Sequence, residues 1–351
     1  MVDKKYCMSS YLAFRYIEKD NVDFYEETKH YNFVPPEENQ RIYVSAAKEI
    51  DEEIALKFRE MKGQKLGLML SGGMDSASLA SYMPGGDAYT FRFLGGEFET
   101  QELKRAEYFA DYYHLNLHYV DIDWDTVTQN LVPVMKAKGA PVHSIEPQLY
   151  QAALQAKRDG IQRLIVGESA DLIFGGMDQL LSEDWKLEDF RERYIFTKPQ
   201  AVLREPADVS YVFERYRQGE KIDFLTFMDD IFSIESSGSY FNAFGAAHMP
   251  YTDPYANFKM RDNLDLYRVR HGEPKYLIRE LFAMKYPGYP IPQKVTMPRP
   301  VDAYFKGWEG PKREEFRKDI EMSTLTGNQK WQLYCLEEFL NLYEPGKDHR
   351  L

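Results

Sequence analysis

The chain has 351 residues, of which 44% are hydrophobic, and its net charge is −12. These values predict one large folded domain or two and exclude wholesale disorder. The acidic balance disfavours a broad nucleic-acid surface, because duplex binding draws its affinity from the neutralisation of phosphates.

Targeting and disulfide signals are weak in this sequence. It has no run of about 18 apolar residues, so we predict no transmembrane helix and no membrane partner. Its N-terminus lacks the continuous apolar stretch of a secretory signal. Only Cys7 and Cys335 are present, which excludes a disulfide scaffold and a Cys-rich zinc module. We therefore predict a cytoplasmic protein.

The first sixty residues have a mixed pattern. Residues 10–17 predict a strand or a short helix, and a polar connector with Pro35 and Pro36 follows. A strand is then predicted over 40–44 and an amphipathic helix over 45–61.

Strand and helix patterns alternate from residue 65 onward. Short apolar runs predict four strands, at 65–70, 88–94, 117–122 and 163–166. Helices are predicted between them, at 100–115, 125–138 and 147–159, and Thr100 is a candidate cap for the first. Strands separated by helices predict an α/β fold with a parallel sheet covered on both faces.

Strand signals weaken from about residue 184, and the rest of the chain predicts helices interrupted by Pro and Gly. We therefore expect a mainly helical C-terminal part packed against the carboxyl ends of the strands. The predicted organisation is an N-terminal segment (1–60), an α/β domain (61–200) and a helical part (201–351).

The first strand of the α/β domain ends in the loop Ser71-Gly72-Gly73-Met74-Asp75-Ser76. Two glycines allow a tight turn and a close approach to a ligand, and the amides that follow favour an anion. A carboxylate repels phosphate unless a divalent cation lies between them, so Asp75 indicates Mg²⁺. The alternative is a structural turn in which Asp75 caps the helix.

Two motifs resemble a known family. The loop at 71–76 resembles the pyrophosphate-binding (PP) loop of the ATP pyrophosphatase superfamily. A second motif follows the fourth strand, and it resembles the Gly-Glu-Gly-Ser-Asp-Glu-Leu-Phe-Gly-Gly element of the asparagine synthetase family. It reads Gly167-Glu168-Ser169-Ala170-Asp171-Leu172-Ile173-Phe174-Gly175-Gly176. Ligands bind at the carboxyl ends of strands in open α/β sheets, so the two loops are expected to converge.

Weaker similarities to the family lie outside these motifs. They are at residues 11–16, 32–36, 250–253, 275–279 and 291–292. The first two resemble the segment that joins the family's glutaminase and synthetase domains, and the last resembles the start of its lid over the pyrophosphate. With these segments included, we expect the similarity to the family to cover residues 40–310.

The resemblance implies an enzyme that uses ATP and Mg²⁺. Such an enzyme adenylates a carboxylate, releases pyrophosphate and transfers the acyl group to ammonia or an amine. The implied metal ligands are Asp75 and Asp171, and a helix cap is the alternative for Asp171. The implied ATP-binding residues are Leu70, Ser71, Gly72, Gly73, Asp75, Ser76, Phe91 and Gly167. Core packing is an equal alternative for Phe91 and its neighbour Phe93.

The implied catalytic residues are Glu168, His143, Lys294 and Arg299. Glu is found at the position of Glu168 in the asparagine-forming branch and Tyr in the β-lactam-forming branch, so Glu168 favours an intermolecular amine. The lid has no Lys at the family's position, but Lys294 and Arg299 lie nearby. His143 stands where the family has a loop Arg, although a lone His is more often structural.

Departures from the family bear on the substrates. Residue 2 is Val and not the Cys that a glutaminase needs, so we expect no glutamine hydrolysis by this chain and allow a separate glutaminase as partner. Ala246-Ala247-His248 and Leu172 replace family residues near the acceptor, which disfavours free aspartate. We expect a small-molecule carboxylate acceptor and no nucleic acid. The alternatives are a tRNA-modifying PP-loop enzyme, disfavoured by the charge, and a non-catalytic nucleotide-binding module.

Overall fold

The computed structural model describes residues 1–94, 101–177, 179–293 and 299–344. The α-helices are α1 (Lys4–Phe14), α2 (Ala47–Glu60), α3 (Met74–Ala80), α4 (Gln101–Tyr112), α5 (Trp124–Lys138), α6 (Glu146–Arg158), α7 (Ser169–Ile173), α8 (Leu187–Tyr194), α9 (Pro199–Val202), α10 (Tyr211–Glu214), α11 (Phe224–Phe227), α12 (Ser233–Ala246), α13 (Leu266–Arg270), α14 (Tyr276–Lys285), α15 (Val301–Tyr304) and α16 (Gly327–Tyr343). The strands are β1 (Ile42–Val44), β2 (Leu66–Met69), β3 (Asp87–Phe93), β4 (Asn116–Ile122), β5 (Arg163–Ile165), β6 (Arg217–Gln218), β7 (Lys221–Ile222), β8 (Tyr251–Thr252) and β9 (Phe258–Met260). A π-helical turn, Met228–Phe232, runs directly into α12.

The central sheet has the strand order β4-β3-β2-β5-β8, and all its neighbours pair in parallel. The chain moves outward from β2 through β3 to β4 and then returns to the other side of β2 with β5. The order therefore reverses between β2 and β5, and ligands of open α/β sheets bind at such a point. The loops after these two strands lie side by side there.

Side chains of β5 alternate between the two hydrophobic cores of the molecule. Leu164 and Val166 belong to the core that α5, α6 and α12 cover, and Ile165 belongs to the core that α2, α3, α4 and α14 cover. This alternation is the period of two expected for a strand buried on both faces. The predicted parallel sheet with helices on both faces and a mainly helical C-terminal part is confirmed.

The elements differ from the sequence predictions in several places, and the short strands β6, β7 and β9 are among those not predicted. For residues 10–17 the sequence allowed either a strand or a short helix, and the structure has the helix α1 there. The strand β8 was not predicted, since its two residues are too few to show a period. It extends the central sheet beside β5 with residues from the predicted helical part. Thr100, the predicted cap of α4, lies outside the described residues.

Elements from all three predicted segments contribute to one core. The Tyr11 hydroxyl of α1 donates a hydrogen bond of 2.9 Å to the carbonyl of Val142, and Gln332 of α16 donates one of 3.1 Å to the carbonyl of Tyr11. The N-terminal helix is thus held between the α/β domain and the last helix. The segment boundaries themselves stay a prediction.

Candidate active site

The PP-type loop after β2 is held by its own serines. The amide of Ser71 donates to the hydroxyl of Ser76 at 3.0 Å, and the amide of Gly73 donates to the hydroxyl of Ser71 at 3.1 Å. These bonds fold residues 71–76 into a compact turn ahead of α3. The loop is therefore preorganised by local contacts.

Gly72 is required by packing against α4. A Cβ at this position would lie 2.5 Å from the carbonyl oxygen of Glu102, a distance that no side chain tolerates. Arg105 of the same helix donates a hydrogen bond of 2.9 Å to the carbonyl of Gly72. Gly72 does not line the adjacent cavity, so the need for glycine at this position comes from packing against α4 and not from a ligand.

A cavity of about 440 Å³ lies at the carboxyl ends of β2, β3 and β5. The predicted site residues that line it are Leu70, Ser71, Gly73, Asp75, Ser76, Phe91, Gly167, Glu168 and Asp171. Phe91 lines it together with Phe93, and their ring centroids are 6.4 Å apart. The structure thus brings together the two loops that the sequence singled out, and we call this space the nucleotide cavity.

Asp75 and Asp171 share one cation in the nucleotide cavity. The Nζ atom of Lys275 lies 2.6 Å from Oδ2 of Asp75 and 2.7 Å from Oδ1 of Asp171. Lys275 directly precedes α14 in a left-handed conformation with φ 55°, and its side chain is only 4% exposed. Burial alone would lower the pKa of Lys275, but the two carboxylates hold this pKa above its ordinary value.

This arrangement fits the predicted metal. Mg²⁺ is typically held in nucleotide sites by one or two carboxylates together with phosphate oxygens and water. Asp75 and Asp171 are close enough to share one ammonium group, and they come from the two adjacent loops. They would therefore hold Mg²⁺ beside bound phosphates, where its charge would offset theirs.

Sequence reasoning missed the cations of this cavity. Arg92, on β3, is one of them and pairs with Asp121, and Lys275 and Arg105 are the others. Lys275 lies in a segment similar to the family, but no role followed from its position. Arg105 lies in the middle of α4 and lines the cavity while bonded to the PP-type loop. Helical spacing placed neither side chain here, since both positions depend on how α4 and α14 pack against α3.

Glu168 lies at the boundary of the nucleotide cavity. The hydroxyl of Ser236, on α12, donates a short hydrogen bond to Oε1 of Glu168. Burial raises the pKa of Glu168 to about 7; the Ser236 hydrogen bond opposes this shift, and the nearby Asp171 and Asp253 add to it. A carboxyl group with such a pKa exchanges protons readily at neutral pH.

His143 and Arg299 come together with two residues that were not predicted. Arg15 forms two bonds of 3.0 Å to the carboxylate of Glu235, and Nε2 of His143 lies 3.8 Å from the same carboxylate. Burial and nearby Arg15 lower the pKa of Arg299 to about 10, while Glu235 and Glu168 oppose this shift. Within the described residues, Arg299 makes no hydrogen bond or ion pair.

The environment of His143 differs from the expectation of a cation over pyrophosphate. Burial, followed by the charges of Arg299 and Arg15, lowers the pKa of His143 well below its usual range. Its Nδ1 accepts a hydrogen bond of 3.3 Å from the amide of Ile145, and it does not line the nucleotide cavity. The neutral imidazole is therefore favoured, and a catalytic role for His143 stays a prediction.

The segment similar to the family's lid reaches the same cavity. Pro292 and Gln293 line the nucleotide cavity directly. Lys294, one of the predicted catalytic residues, lies outside the described residues. Arg299 is therefore the predicted lid cation whose position the structure gives.

Comparison with known proteins places the chain in a family. The sequence profile of asparagine synthase matches residues 53–228, about half of the 351 residues. The chain belongs to the asparagine synthase family. The matched region of this family member contains both loops with Asp75, Glu168 and Asp171, which confirms the resemblance stated from the motifs. The family comprises ATP-using synthetases, which supports ATP as a ligand of the nucleotide cavity.

Solved structures that resemble this asparagine synthase family member are distant. NMN synthetase from Francisella tularensis is 15% identical with a TM-score of 0.27, and the match covers 38% of this chain and 59% of that chain. U34-tRNA thiolase NcsA from Methanococcus maripaludis, solved with its [4Fe-4S] cluster, is 12% identical with a TM-score of 0.30, covering 86% and 81%. NAD⁺ synthetase from Burkholderia pseudomallei is 10% identical with a TM-score of 0.27, covering 57% and 91%. The chain thus spans less than two thirds of the NMN synthetase.

No curated protein matches the chain significantly. Across the ranges that the structure describes, no helix combines the length and the hydrophobicity needed to cross a membrane.

Proposed function

We propose that this chain is an ATP-dependent ligase that joins a small-molecule carboxylate to ammonia or an amine and releases AMP and pyrophosphate. The observation that carries the proposal is the meeting of Asp75 and Asp171 around one cation, with the proton-exchanging Glu168 in the wall of the same cavity. Phosphate chemistry needs a site for a cation between the two aspartates, and amide formation needs a group such as Glu168 that accepts a proton.

The first half-reaction uses the two loops. An oxygen of the acceptor carboxylate attacks the α-phosphate of ATP, the bond to the β-phosphate breaks, and pyrophosphate leaves. The loop of residues 71–76 binds the leaving phosphates, and Lys275 and Arg105 supply positive charge in the cavity. Mg²⁺ held by Asp75 and Asp171 would supply further charge neutralisation.

The second half-reaction uses Glu168. The nitrogen nucleophile attacks the carbonyl carbon of the acyl-adenylate, the bond from that carbon to the phosphate oxygen breaks, and AMP leaves with the electron pair. The nucleophile must lose a proton, and the carboxylate of Glu168 receives it. Arg299 stands close enough to Glu168 for their charges to interact, and its guanidinium would bind an anionic acceptor or pyrophosphate.

We place the protein in the cytoplasm, since Cys7 and Cys335 are both buried free thiols. The nitrogen source is free ammonia or an amine, with a separate glutaminase as an alternative supplier of ammonia. The net charge of −12 supports a small-molecule partner in preference to a nucleic acid.

A pyrophosphate assay tests the proposed function. The purified chain is incubated with ATP, Mg²⁺, ammonium and pools of small carboxylates, and we expect pyrophosphate and AMP to appear with an active pool. Labelled pyrophosphate should exchange into ATP with the same pool in the absence of any amine. ADP as the nucleotide product would overturn the proposal. If no pool yields pyrophosphate or AMP, the result would favour a non-catalytic nucleotide-binding module.

We predict that Asp75→Asn weakens the binding of Mg²⁺·ATP. Loss of a residue that only supports a metal ligand typically costs ~10–100-fold in metal affinity, so loss of a direct ligand should cost at least as much. The variant keeps the size of the side chain but removes one of the two charges that face the cation. The measurement is a titration of ATP at fixed Mg²⁺, repeated without the metal. Asp51→Asn is the control, since Asp51 pairs with Lys285 outside the nucleotide cavity. Equal affinities of Asp75→Asn and the unmodified chain would refute the metal assignment.

A further inference from the structure

A second cavity of about 430 Å³ adjoins the nucleotide cavity. The two cavities share Val166, Glu168 and Tyr240 as lining residues, so Glu168 faces both spaces. The remaining walls come from the connector before β1, from β8 and the loop after it, and from α7 and α12. These wall residues are Phe33, Val34, Pro35, Pro36, Glu37, Gln40, Ser169, Ser237, Tyr251, Thr252, Asp253, Ala256 and Asn257.

The charge of the second cavity is opposite to that expected for an anion site. Its lining includes the carboxyl groups of Glu37, Glu168 and Asp253, and among the residues that the structure describes no Lys, Arg or His lines it. Three cations contact its wall without lining it. Lys57, Arg163 and Arg41 donate hydrogen bonds of 2.8 Å to Asn257, 3.1 Å to Thr252 and 2.9 Å to the carbonyl of Ala256. The nucleotide cavity has a mixed lining, in which Lys275, Arg92 and Arg105 stand beside the carboxyl groups of Asp75, Glu102, Glu168 and Asp171. Its cations can bind a phosphate, whereas the described lining of the second cavity suits a cation.

The size of the second cavity argues for an organic ligand. A molecule as small as water, and hence ammonia, needs about 10–15 Å³ of such volume. The observed 430 Å³ lies within the range of about 300–1,000 Å³ that is usual for small-molecule sites. Apolar and aromatic side chains, among them Phe33, Pro36 and Tyr251, line it beside the carboxyl groups. This combination suits a molecule with a charged end and an apolar body.

A serine hydroxyl in the wall is available to a ligand. The Ser237 side chain is on α12, the residue is 8% exposed, and its hydroxyl makes no hydrogen bond within the described residues. A hydroxyl can both donate and accept a hydrogen bond, so a ligand with a polar group would bond to it in this cavity. Asp253 is by contrast fixed, since its carboxylate accepts hydrogen bonds of 2.7 and 2.9 Å from the amides of Ser169 and Tyr255.

We propose that the second cavity binds the nitrogen nucleophile and that this nucleophile is an organic primary amine and not ammonia alone. Its nitrogen lies at Glu168, where the two cavities meet, and its body extends between the connector and β8. This inference rests on the proposed function. The bound ammonium first gives one proton to Glu168 and becomes the nucleophilic amine. The amine nitrogen then forms the new C–N bond, AMP departs with the electron pair of the broken C–O bond, and the second N–H proton leaves with the phosphate of AMP.

Binding measurements with simple amines test the inference without knowledge of the acceptor. Ammonium, methylammonium, butylammonium and benzylammonium are titrated into the full chain at low salt, with butanol and butyrate as uncharged and anionic counterparts. Affinity is followed by saturation-transfer NMR. We expect affinity to rise with the size of the amine and the two counterparts to bind at least tenfold more weakly than butylammonium.

Two variants locate the binding. Ser237→Phe fills the second cavity and should weaken benzylammonium binding at least tenfold, with Mg²⁺·ATP binding as the check on folding. Glu37→Lys changes an exposed side chain at the rim and should weaken binding through charge repulsion. Glu26→Lys makes the same charge change at an exposed position outside both cavities, and we expect it to leave amine binding unchanged.

The outcomes separate this inference from the proposed function. Size-dependent amine binding that Ser237→Phe abolishes supports the second cavity as an amine site, even if no carboxylate pool yields pyrophosphate. Amines that do not bind, or that bind Ser237→Phe as well as the unmodified chain, overturn the inference. Pyrophosphate release driven by carboxylate and ammonium, with no gain from any larger amine, also overturns it while leaving the proposed function intact.

Discussion

Replacing Lys275 with methionine should lower the free energy of unfolding of the metal-free protein by about 3–5 kcal/mol, the usual cost of removing one partner from a buried ion pair. The ammonium group lies within 2.7 Å of both Asp75 and Asp171, and its side chain is 4% exposed. Methionine keeps the length of the side chain but leaves two neighbouring carboxylates without a shared cation. Urea unfolding in the presence of EDTA measures the loss.

Mg²⁺ should restore part of this stability. A divalent cation can take the position between Asp75 and Asp171 that the ammonium group leaves, and ligands that bind the folded state stabilise it. We therefore expect millimolar Mg²⁺ to raise the melting temperature of Lys275→Met by more than that of the unmodified chain. This readout reports on the carboxylates alone and needs neither ATP nor turnover.

Lys285→Met is the matched control for this experiment. Lys285 ends the same helix and pairs with Asp51, but the two side chains are 17% and 24% exposed. A partly exposed single ion pair contributes about 0.2–1 kcal/mol to stability. The control should therefore lose little stability, and Mg²⁺ should raise its melting temperature no more than that of the unmodified chain. If both variants lose the same amount, the two aspartates do not depend on Lys275.

The sequence was informative where function is encoded in short local patterns. The strands β2 to β5 are apolar runs bounded by turns, so these four strands and the position of both loops could be predicted. Glycine and aspartate at fixed spacing after a strand indicated a phosphate and metal site. The structure then placed Asp75 and Asp171 around one cation.

The sequence was uninformative where the site depends on distant packing. Lys275 is 200 residues from Asp75, and Arg15 is 220 residues from Glu235. No periodic pattern links such positions, because their contacts follow from how whole helices pack. His143 shows the same effect, since its burial among cations, which favours the neutral ring, is a tertiary property. The second cavity is likewise built from the connector and the two-residue strand β8, neither of which carries a pattern.

Glu168→Gln should separate the two half-reactions. The amide keeps the shape of the carboxyl group but cannot accept a proton, so formation of the amide product should fall by about 10²-fold or more, the usual scale for loss of a general base. Adenylation depends on the PP-type loop, the metal ligands and the acceptor, so exchange of labelled pyrophosphate into ATP should persist. Both rates are measured with the same acceptor pool, with and without amine.

The pH dependence of amide formation gives a second test of the same residue. The deprotonated carboxylate is the active form, and the pKa of Glu168 is raised to about 7 by burial. The amide-forming rate should therefore rise with pH up to about 7 and then level off, after correction for protonation of the amine. This rise should be absent from pyrophosphate exchange and from Glu168→Gln.

Ser236→Ala shows whether the rise belongs to Glu168. The Ser236 hydroxyl donates a hydrogen bond to Glu168 and thereby lowers the pKa of that carboxyl group. Without this bond the pKa should increase, so the midpoint of the rise should move to higher pH while the plateau rate is largely retained. A merely structural Glu168 would leave the midpoint where it is. If exchange and amide formation fall together in Glu168→Gln, the residue serves adenylation or the fold, because a base that acts only on the incoming amine cannot affect a reaction without amine.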